Sequence, residues 1–355
     1  MKLFESYNMG PYPLRNRVVM APMTRNRADN AGVLPNYAAD YYEQRAGAGL
    51  IITEATQPSA SGRGYQGTPG IHDETQEAQW KRVAEAVHSR GGTIFLQLMH
   101  TGRIGHTSLL PDTNPLLAPS AVRAKMKVAD AKGVEWEAEE PRAMTEGEVL
   151  RVIDDFVQAA ARAVRAGIDG VELHSANGYL LHQFLSHGTN QRTDTFGGSA
   201  RGRSEFVVRL VERVAETIGP ERVGLRISPG GKFNDMRGLD DDETYLELID
   251  RINPAGIAYL HTLRRRSTPL HIQLRQKWST TFIMNTGYHG ASDRDSLEAI
   301  LASGDADLVS VGRYFISNPD LVERWKLDLS ISEWDEDTLY AGGPRGLIDY
   351  PAATN

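Results

Sequence analysis

The sequence predicts an α/β fold of one domain, a single (β/α)8 TIM barrel with a long lid loop after the third strand. Three observations predict it. Eight short apolar runs recur along the chain, helical stretches of amphipathic pattern lie between them, and no Pro/Gly/Ser-rich linker divides the 355 residues. The runs are 17–21, 50–54, 93–98, 170–174, 223–227, 257–261, 281–285 and 307–311. They are almost continuously apolar rather than alternating, as strands covered on both faces of a parallel sheet must be. A chain of this length suits one such barrel, which commonly runs ~200–400 residues.

The helical stretches follow the same order. Residues 73–90, 148–166, 206–218, 241–252, 292–303 and 318–326 each carry apolar residues at spacings of three and four. In 148–166 these are Val149, Ile153, Phe156, Ala160 and Val164; Thr145 and Glu148 form a capping-box pattern before them and Gly167 is a stop signal after them. Phe206, Leu210, Val214 and Ile218 share one face of the next stretch, which stops at Gly219-Pro220. Residues 101–143 break the pattern. They are rich in Pro and charge, and a connection of about 40 residues far exceeds the usual handful and is commonly functional. It leaves the third strand at the catalytic end of such barrels, so it reads as a lid.

Composition removes several classes of function. There is no Cys, which excludes disulfides, thiolate nucleophiles and Cys-ligated metal centres. The net charge is −7, a poor match to nucleic acid or an anionic membrane surface. The first residues lack a signal-peptide core and no window reaches 18 uninterrupted apolar residues, so the expected location is the cytoplasm. No His/carboxylate set has metal-ligand spacing, and no metal is expected.

Polar residues gather where such a barrel keeps its active site, at the C-terminal ends of the strands. The first run leads into Ala21-Pro22-Met23-Thr24-Arg25, the second ends at Glu54-Ala55, and the third carries Gln97 and Met99-His100. His174, Asn177, Gly178 and Tyr179 follow the fourth run, Arg226 lies inside the fifth, Asn285-Thr286-Gly287-Tyr288 follows the seventh, and Gly312-Arg313 follows the eighth. Short glycine turns entering helices offer N–H groups to an anion, and Arg313 adds a bidentate donor. A cation buried on a strand needs a partner, so Arg226 reads either as half of a structural ion pair or as the seat of an anionic ligand. Gln97 must satisfy both a donor and an acceptor, which a flat heterocycle with adjacent N–H and C=O would do. His174 and Asn177 could grip one carbonyl or nitro oxygen. Tyr179, whose ordinary pKa is ~10, stays protonated at neutral pH and can act as a general acid.

Several motifs in order resemble the Old Yellow Enzyme family. They are 21–27 (APMTRNR), 97–103 (QLMHTGR), 170–181 (GVELHSANGYLL), 190–194 (NQRTD), 196–199 (FGGS), 312–321 (GRYFISNPDL) and 340–351 (YAGGPRGLIDYP), and they span essentially the whole chain. Within the family the look is closest to bacterial N-ethylmaleimide, pentaerythritol tetranitrate and glycerol trinitrate reductases. The resemblance implies an FMN-dependent ene-reductase. It places FMN against Ala21, Pro22, Met23 and Thr24, with Ala55 near its edge, Gln97 at the pyrimidine, Arg226 by N1, and Asn285, Thr286, Gly287, Gly312 and Arg313 toward the phosphate. NADPH or NADH would reduce the flavin. An alkene conjugated to a carbonyl or nitro group would then bind through His174 and Asn177, taking hydride from flavin N5 and a proton from Tyr179. Nitroesters are a further expected substrate class, and phenols are expected inhibitors. Tyr65, Met99 and Tyr340 match positions lining the substrate pocket. The chain is expected to act as a monomer or homodimer.

Two departures from the family pattern stand out. Met99 occupies a place where relatives often carry Trp. His261-Thr262-Leu263-Arg264-Arg265-Arg266 replaces the usual continuation of the sixth strand, and its three arginines read either as a site for the NADPH 2′-phosphate or as a solvated basic turn. Two other functions stay open from the residues alone: a flavin-free barrel enzyme on a phosphorylated substrate, and a flavin- or phenol-binding protein without turnover.

Overall fold

The computed structural model describes residues 1–236, 241–263, 270–287 and 292–353; Tyr288 and Arg264-Arg265-Arg266 lie outside the described residues. Eight parallel strands close into a barrel. They are β1 (Val18–Met20), β2 (Leu50–Ile52), β3 (Ile94–Leu98), β4 (Gly170–Ser175), β5 (Val223–Ile227), β6 (Tyr259–Leu263), β7 (Thr281–Asn285) and β8 (Leu308–Val311). Each expected run therefore forms a barrel strand. Helices α1 (Ala38–Glu43), α2 (Glu74–Ser89), α3 (Glu146–Arg165), α4 (Ala200–Ile218), α5 (Asp242–Ile252), α6 (Leu270–Lys277), α7 (Arg294–Ser303) and α8 (Leu321–Lys326) follow the strands in turn.

Local chemistry sets the helix ends. Thr145 and Glu148 form the expected capping box on α3, and Asp73 with Gln76 forms another on α2. Such caps contribute ~0.5–2 kcal/mol each. Three helical expectations need correction. Helix α4 begins at Ala200, before the apolar stripe, because the Ser199 hydroxyl caps it. Within the stretch expected at 318–326 the helix α8 begins only at Leu321, because Asn318 turns to hold Ser332; a separate short helix, Tyr314–Ser317, precedes it. Helices α1 and α6 carried too little amphipathic pattern to be seen.

Inside the barrel, side chains at every second strand position point inward. Val19, Leu50, Ile52, Phe95, Tyr259, Ile283 and Leu308 form an apolar floor, joined by Met9 and Leu14 of an N-terminal hairpin that pairs Tyr7–Met9 with Tyr12–Leu14. The aromatic rings of Phe95 and Tyr259 lie 5.6 Å apart. They fit because Gly170 and Gly224 face them; a Cβ at either glycine would overlap one of the rings. One inward step higher the lining turns polar: Gln97, Glu172, Arg226, His261, Asn285 and Ser310, all on the same strand faces as the floor.

Residues 101–143 are folded rather than featureless. Lys127–Ala129 pairs with Glu135–Glu137 as a hairpin, and Leu117–Ala118 pairs with Arg142–Ala143. The C-terminal tail is fastened by buried arginines. Arg25 donates to the carbonyls of Leu339 (3.0 Å) and Gly346 (2.8 Å), Arg27 to Gly343 (3.0 Å) and Thr338 (2.6 Å), and Arg45 to Leu347 (3.4 Å) as well as to Phe315 (2.7 Å) and Ile316 (2.8 Å) of the segment after β8. Among the described residues no helix is long and apolar enough to cross a membrane.

Overpacking a close-packed core typically costs ~1–3 kcal/mol. Gly224→Ala should therefore lower stability by about that much in urea unfolding. The double variant with Tyr259→Ala should lose less stability than the sum of the two single losses; strict additivity would show that the ring and the glycine are not matched.

Candidate active site

The β4 end is built to hold one sharp turn. Asn177 and Gly178 both adopt positive φ (55° and 77°), and a Cβ at Gly178 would run into Phe233, Asn234 and Met236. Every backbone group around the turn is caught. The Asn177 N–H donates to the Ser228 hydroxyl (2.8 Å), the Asn177 carbonyl accepts from Asn234 (2.9 Å), and the Gly178 N–H donates to His182 Nδ1 (3.0 Å). Gln183 Nε2 donates to the Gly178 carbonyl (2.8 Å) and to the Thr101 carbonyl (3.0 Å), tying the turn to the start of the long connection. Burial holds His182 near 4, so it stays a neutral acceptor at that post.

This turn brings three expected residues together. The rings of His174 and Tyr179 meet edge to face at 5.2 Å, and Asn177 lies between them in sequence with its side chain nearly buried. His174 Nδ1 is buried without a partner, and the Asn177 amide makes no hydrogen bond to a described residue. Burial, then the Arg226 charge, holds His174 well below the ordinary histidine value, so the imidazole is neutral at pH 7. Tyr65 reaches the same place: its hydroxyl is 3.1 Å from that of Tyr179. Met99, Ala55 and Tyr179 form one apolar cluster with Ala124, Val128 and Ala138 of the long connection. Tyr340, by contrast, is 62% exposed, set beside the β1 loop by the arginine clamps on Leu339.

Among the described residues Arg226 lacks the direct partner that a structural ion pair, one of the two readings left by the sequence, would need. It is only 6% exposed, yet it forms no ion pair with a described residue and its Nε is buried without a partner. A buried cation with no direct partner is costly unless a nearby countercharge or a group outside the chain meets it. Gln97 is buried beside Glu172 and gives Nε2 to that carboxylate (2.7 Å), which leaves its carbonyl oxygen without a described partner. The opposite side is more open. Asn285 Oδ1 accepts from the Gly287 N–H (2.8 Å), Thr286 shares a hydrogen bond with Ser292 (2.7 Å), and Arg313 is exposed over the Trp334 ring. Gly312 faces Met23 and Thr24 is half-buried. A planar ring with a polar pyrimidine edge and an anionic tail matches these groups: a cation and an amide carbonyl oxygen on one side, and a second cation, Arg313, on the other.

Beside the Arg25 backbone stands a carboxyl that the sequence placed at a strand end without giving it a role. Glu54, at the end of β2, accepts from the Arg25 N–H (3.3 Å) and the Tyr42 hydroxyl (3.3 Å). Glu172, His261 and Ser310 were also missed. Their signal was parity: each lies two residues beyond a floor position or a floor glycine on its strand, so it must face inward. Among the described residues no group of His, Asp and Glu could hold a metal ion.

Comparison with known proteins agrees with this geometry. Residues 2–331 match the NADH:flavin oxidoreductase / NADH oxidase family. Rice (Oryza sativa subsp. japonica) 12-oxophytodienoate reductase 1 is 38% identical over 98% of this chain and 92% of its own. The Arabidopsis thaliana 12-oxophytodienoate reductase 2 is 35% identical over 99% and 95%. Morphinone reductase in complex with tetrahydroNAD superposes with a TM-score of 0.95 at 41% identity, covering 100% of this chain and 98% of its own. An old yellow enzyme homologue from Zymomonas mobilis gives 0.94 at 34%, covering 99% of each chain. The chain belongs to the NADH:flavin oxidoreductase / NADH oxidase family, the Old Yellow Enzyme family. It is an FMN-dependent ene-reductase that draws hydride from a nicotinamide.

Burial pushes the Glu54 carboxyl up to about 7, against the opposing Arg25 N–H and charge and the Tyr42 hydroxyl. The unfolded chain keeps the ordinary 4.5. Between the two values the folded protein holds the extra proton, so its stability falls as pH rises through that window. The fall should be on the order of 3 kcal/mol. Glu54→Gln should flatten it in urea midpoints taken from pH 4 to 8, and a mutant slope equal to wild type would contradict the assignment.

Proposed function

We propose that the chain reduces the C=C bond of small alkenes conjugated to a carbonyl or nitro group, with His174, Asn177 and Tyr179 acting on the substrate. The observation that carries this is their convergence at the end of β4, where a neutral imidazole meets the Tyr179 ring edge to face and the Asn177 amide makes no hydrogen bond to a described residue. Nitroesters are a second substrate class on the same oxygen-binding logic. Phenols, flat and anionic when ionised, would inhibit by taking the same donors.

Each residue has a separate task. Arg226 and Gln97 hold the pyrimidine edge of FMN, with Ala21, Pro22, Met23, Thr24 and Ala55 along its rim and Asn285, Thr286, Gly287, Gly312 and Arg313 toward its phosphate. Bound there, the flavin supplies the hydride chemistry. His174 and Asn177 donate to the activating oxygen and stabilise negative charge as it grows there. Tyr179 gives the proton to the α-carbon, and Tyr65, 3.1 Å from its hydroxyl, steadies that donor. Met99 walls the pocket with a polarisable, adaptable side chain. Tyr340 stands at the rim.

Residues 101–143 serve as the lid of a single-domain enzyme. The support is the cluster that packs Ala124, Val128 and Ala138 onto Ala55, Met99 and Tyr179. NADPH and NADH both remain candidates as donor, and a reducing compartment such as the cytoplasm fits a chain without cysteine. A protein that binds ligands without turnover would have no use for the tyrosine donor.

Loss of a general acid typically costs ~10²–10⁴-fold. Tyr179→Phe should slow enone reduction by that order while leaving flavin reduction by NAD(P)H within a few-fold, both followed by stopped-flow bleaching and recovery of the yellow colour. Equal slowing of both half-reactions would remove Tyr179 from the proton step. His174→Ala and Asn177→Ala should each weaken phenol binding about tenfold or more, the value of one hydrogen bond to a charged group.

A further inference from the structure

Three of the six polar residues above the barrel floor have no part in the mechanism: Glu172, His261 and Ser310. All three are fully buried. Glu172 sits at the centre of the group. Its Oε1 accepts from Gln97 Nε2 at 2.7 Å, and its Oε2 lies 2.8 Å from His261 Nδ1. His261 Nε2 is 2.8 Å from the Ser310 hydroxyl, and Ser310 Oγ accepts from Asn285 Nδ2 at 2.9 Å. Asn285 Oδ1 in turn accepts from the Gly287 N–H at 2.8 Å.

The direction of every bond in this chain follows from its end. A carboxylate only accepts, so both groups touching it must donate. Gln97 must therefore present its amide nitrogen to Glu172 and its carbonyl oxygen elsewhere. His261 must carry its proton on Nδ1, and Nε2 then accepts from Ser310. Charges fit this arrangement. Burial drives His261 toward the neutral form against the pull of Glu172, and burial of Glu172 is outweighed by His261, Arg226 and Gln97, which hold it below the ordinary carboxylate value. Arg226 thus has a countercharge that touches none of its donors, and all of them remain available for a ligand.

We propose that Glu172 is a positioning residue for the flavin, terminating a hydrogen-bond chain that crosses the barrel from the Asn285–Gly287 turn to Gln97. The inference rests on the FMN site described above. Glu172 does two things there. It fixes which end of the Gln97 amide meets the pyrimidine, and it moderates the positive charge of Arg226. The first governs how tightly FMN is held. The second governs how far the site favours the reduced, anionic flavin, so Glu172 lowers the reduction potential. Its place in the strand makes a purely structural part the competing explanation, and the two differ in measurable ways.

The test titrates apoprotein with FMN and measures the midpoint potential of the reconstituted enzyme. Reduced-state affinity follows from the thermodynamic cycle, and apoprotein melting is recorded in parallel. Glu172→Gln keeps the shape, removes the charge and faces one of its two donors with an amide nitrogen. Oxidised FMN should bind about tenfold or more weakly, as expected for losing a hydrogen bond to a charged group, and reduced FMN should lose less, so the potential rises. Glu172→Asp keeps the charge and shortens the reach. It should weaken both redox states by similar factors and leave the potential near wild type, and it carries the test alone if the glutamine variant does not fold. The proposal is overturned if Glu172→Gln folds and loses affinity equally in both states, or if either folded variant binds oxidised FMN within twofold of wild type. Wild-type apoprotein that does not take up FMN would instead sink the flavin site itself, and this role with it.

Discussion

A guanidinium almost wholly buried at the mouth of a barrel, with no carboxylate touching it among the described residues, is the constraint around which this molecule is arranged. Burying an unpaired cation is among the most expensive things a fold can do. Here the charge of Arg226 is balanced at one remove, through Glu172 on the neighbouring strand, while its N–H groups stay uncommitted. Burial first, and this same charge second, keep the His174 imidazole neutral. Both effects depend on the dry, low-dielectric interior that the floor of Phe95, Tyr259 and their glycine partners seals from below.

The second organising element is the turn after β4. Left-handed backbone at two successive residues is unfavourable for asparagine and easy for glycine. It persists because Ser228, Asn234, His182 and Gln183 satisfy its backbone groups from four directions. None of these four has a place in the proposed chemistry. They set the directions in which His174, Asn177 and Tyr179 point, the precision a catalytic constellation requires.

Much of this was legible in the chain. The strands announced themselves because parallel barrel strands are buried on both faces and so read as unbroken apolar runs. The site residues could be found because polar side chains at strand ends are rare enough to stand out, as Arg226 and Gln97 do. Glu172 and His261 escaped because each is one polar residue in an apolar run, and a single residue carries no period; only the parity set by Phe95 and Tyr259 shows which way they face. Helix α1 escaped because six residues make under two turns, too few for a stripe. The contacts within residues 101–143 were illegible for another reason: Ala124, Val128 and Ala138 acquire meaning only when folded onto Met99, far away in sequence.

The arginine clamps on the C-terminal tail have an evolutionary corollary. Arg25, Arg27 and Arg45 seize main-chain oxygens of the tail, which every amino acid supplies. The path of residues 338–347 is thereby pinned while the identity of most side chains along it is left open. Tyr340 rides exposed on this anchored ribbon, where substitution can change the surface without loosening the strap that carries it. Descendants of this chain can thus vary that edge while the fold beneath stays undisturbed.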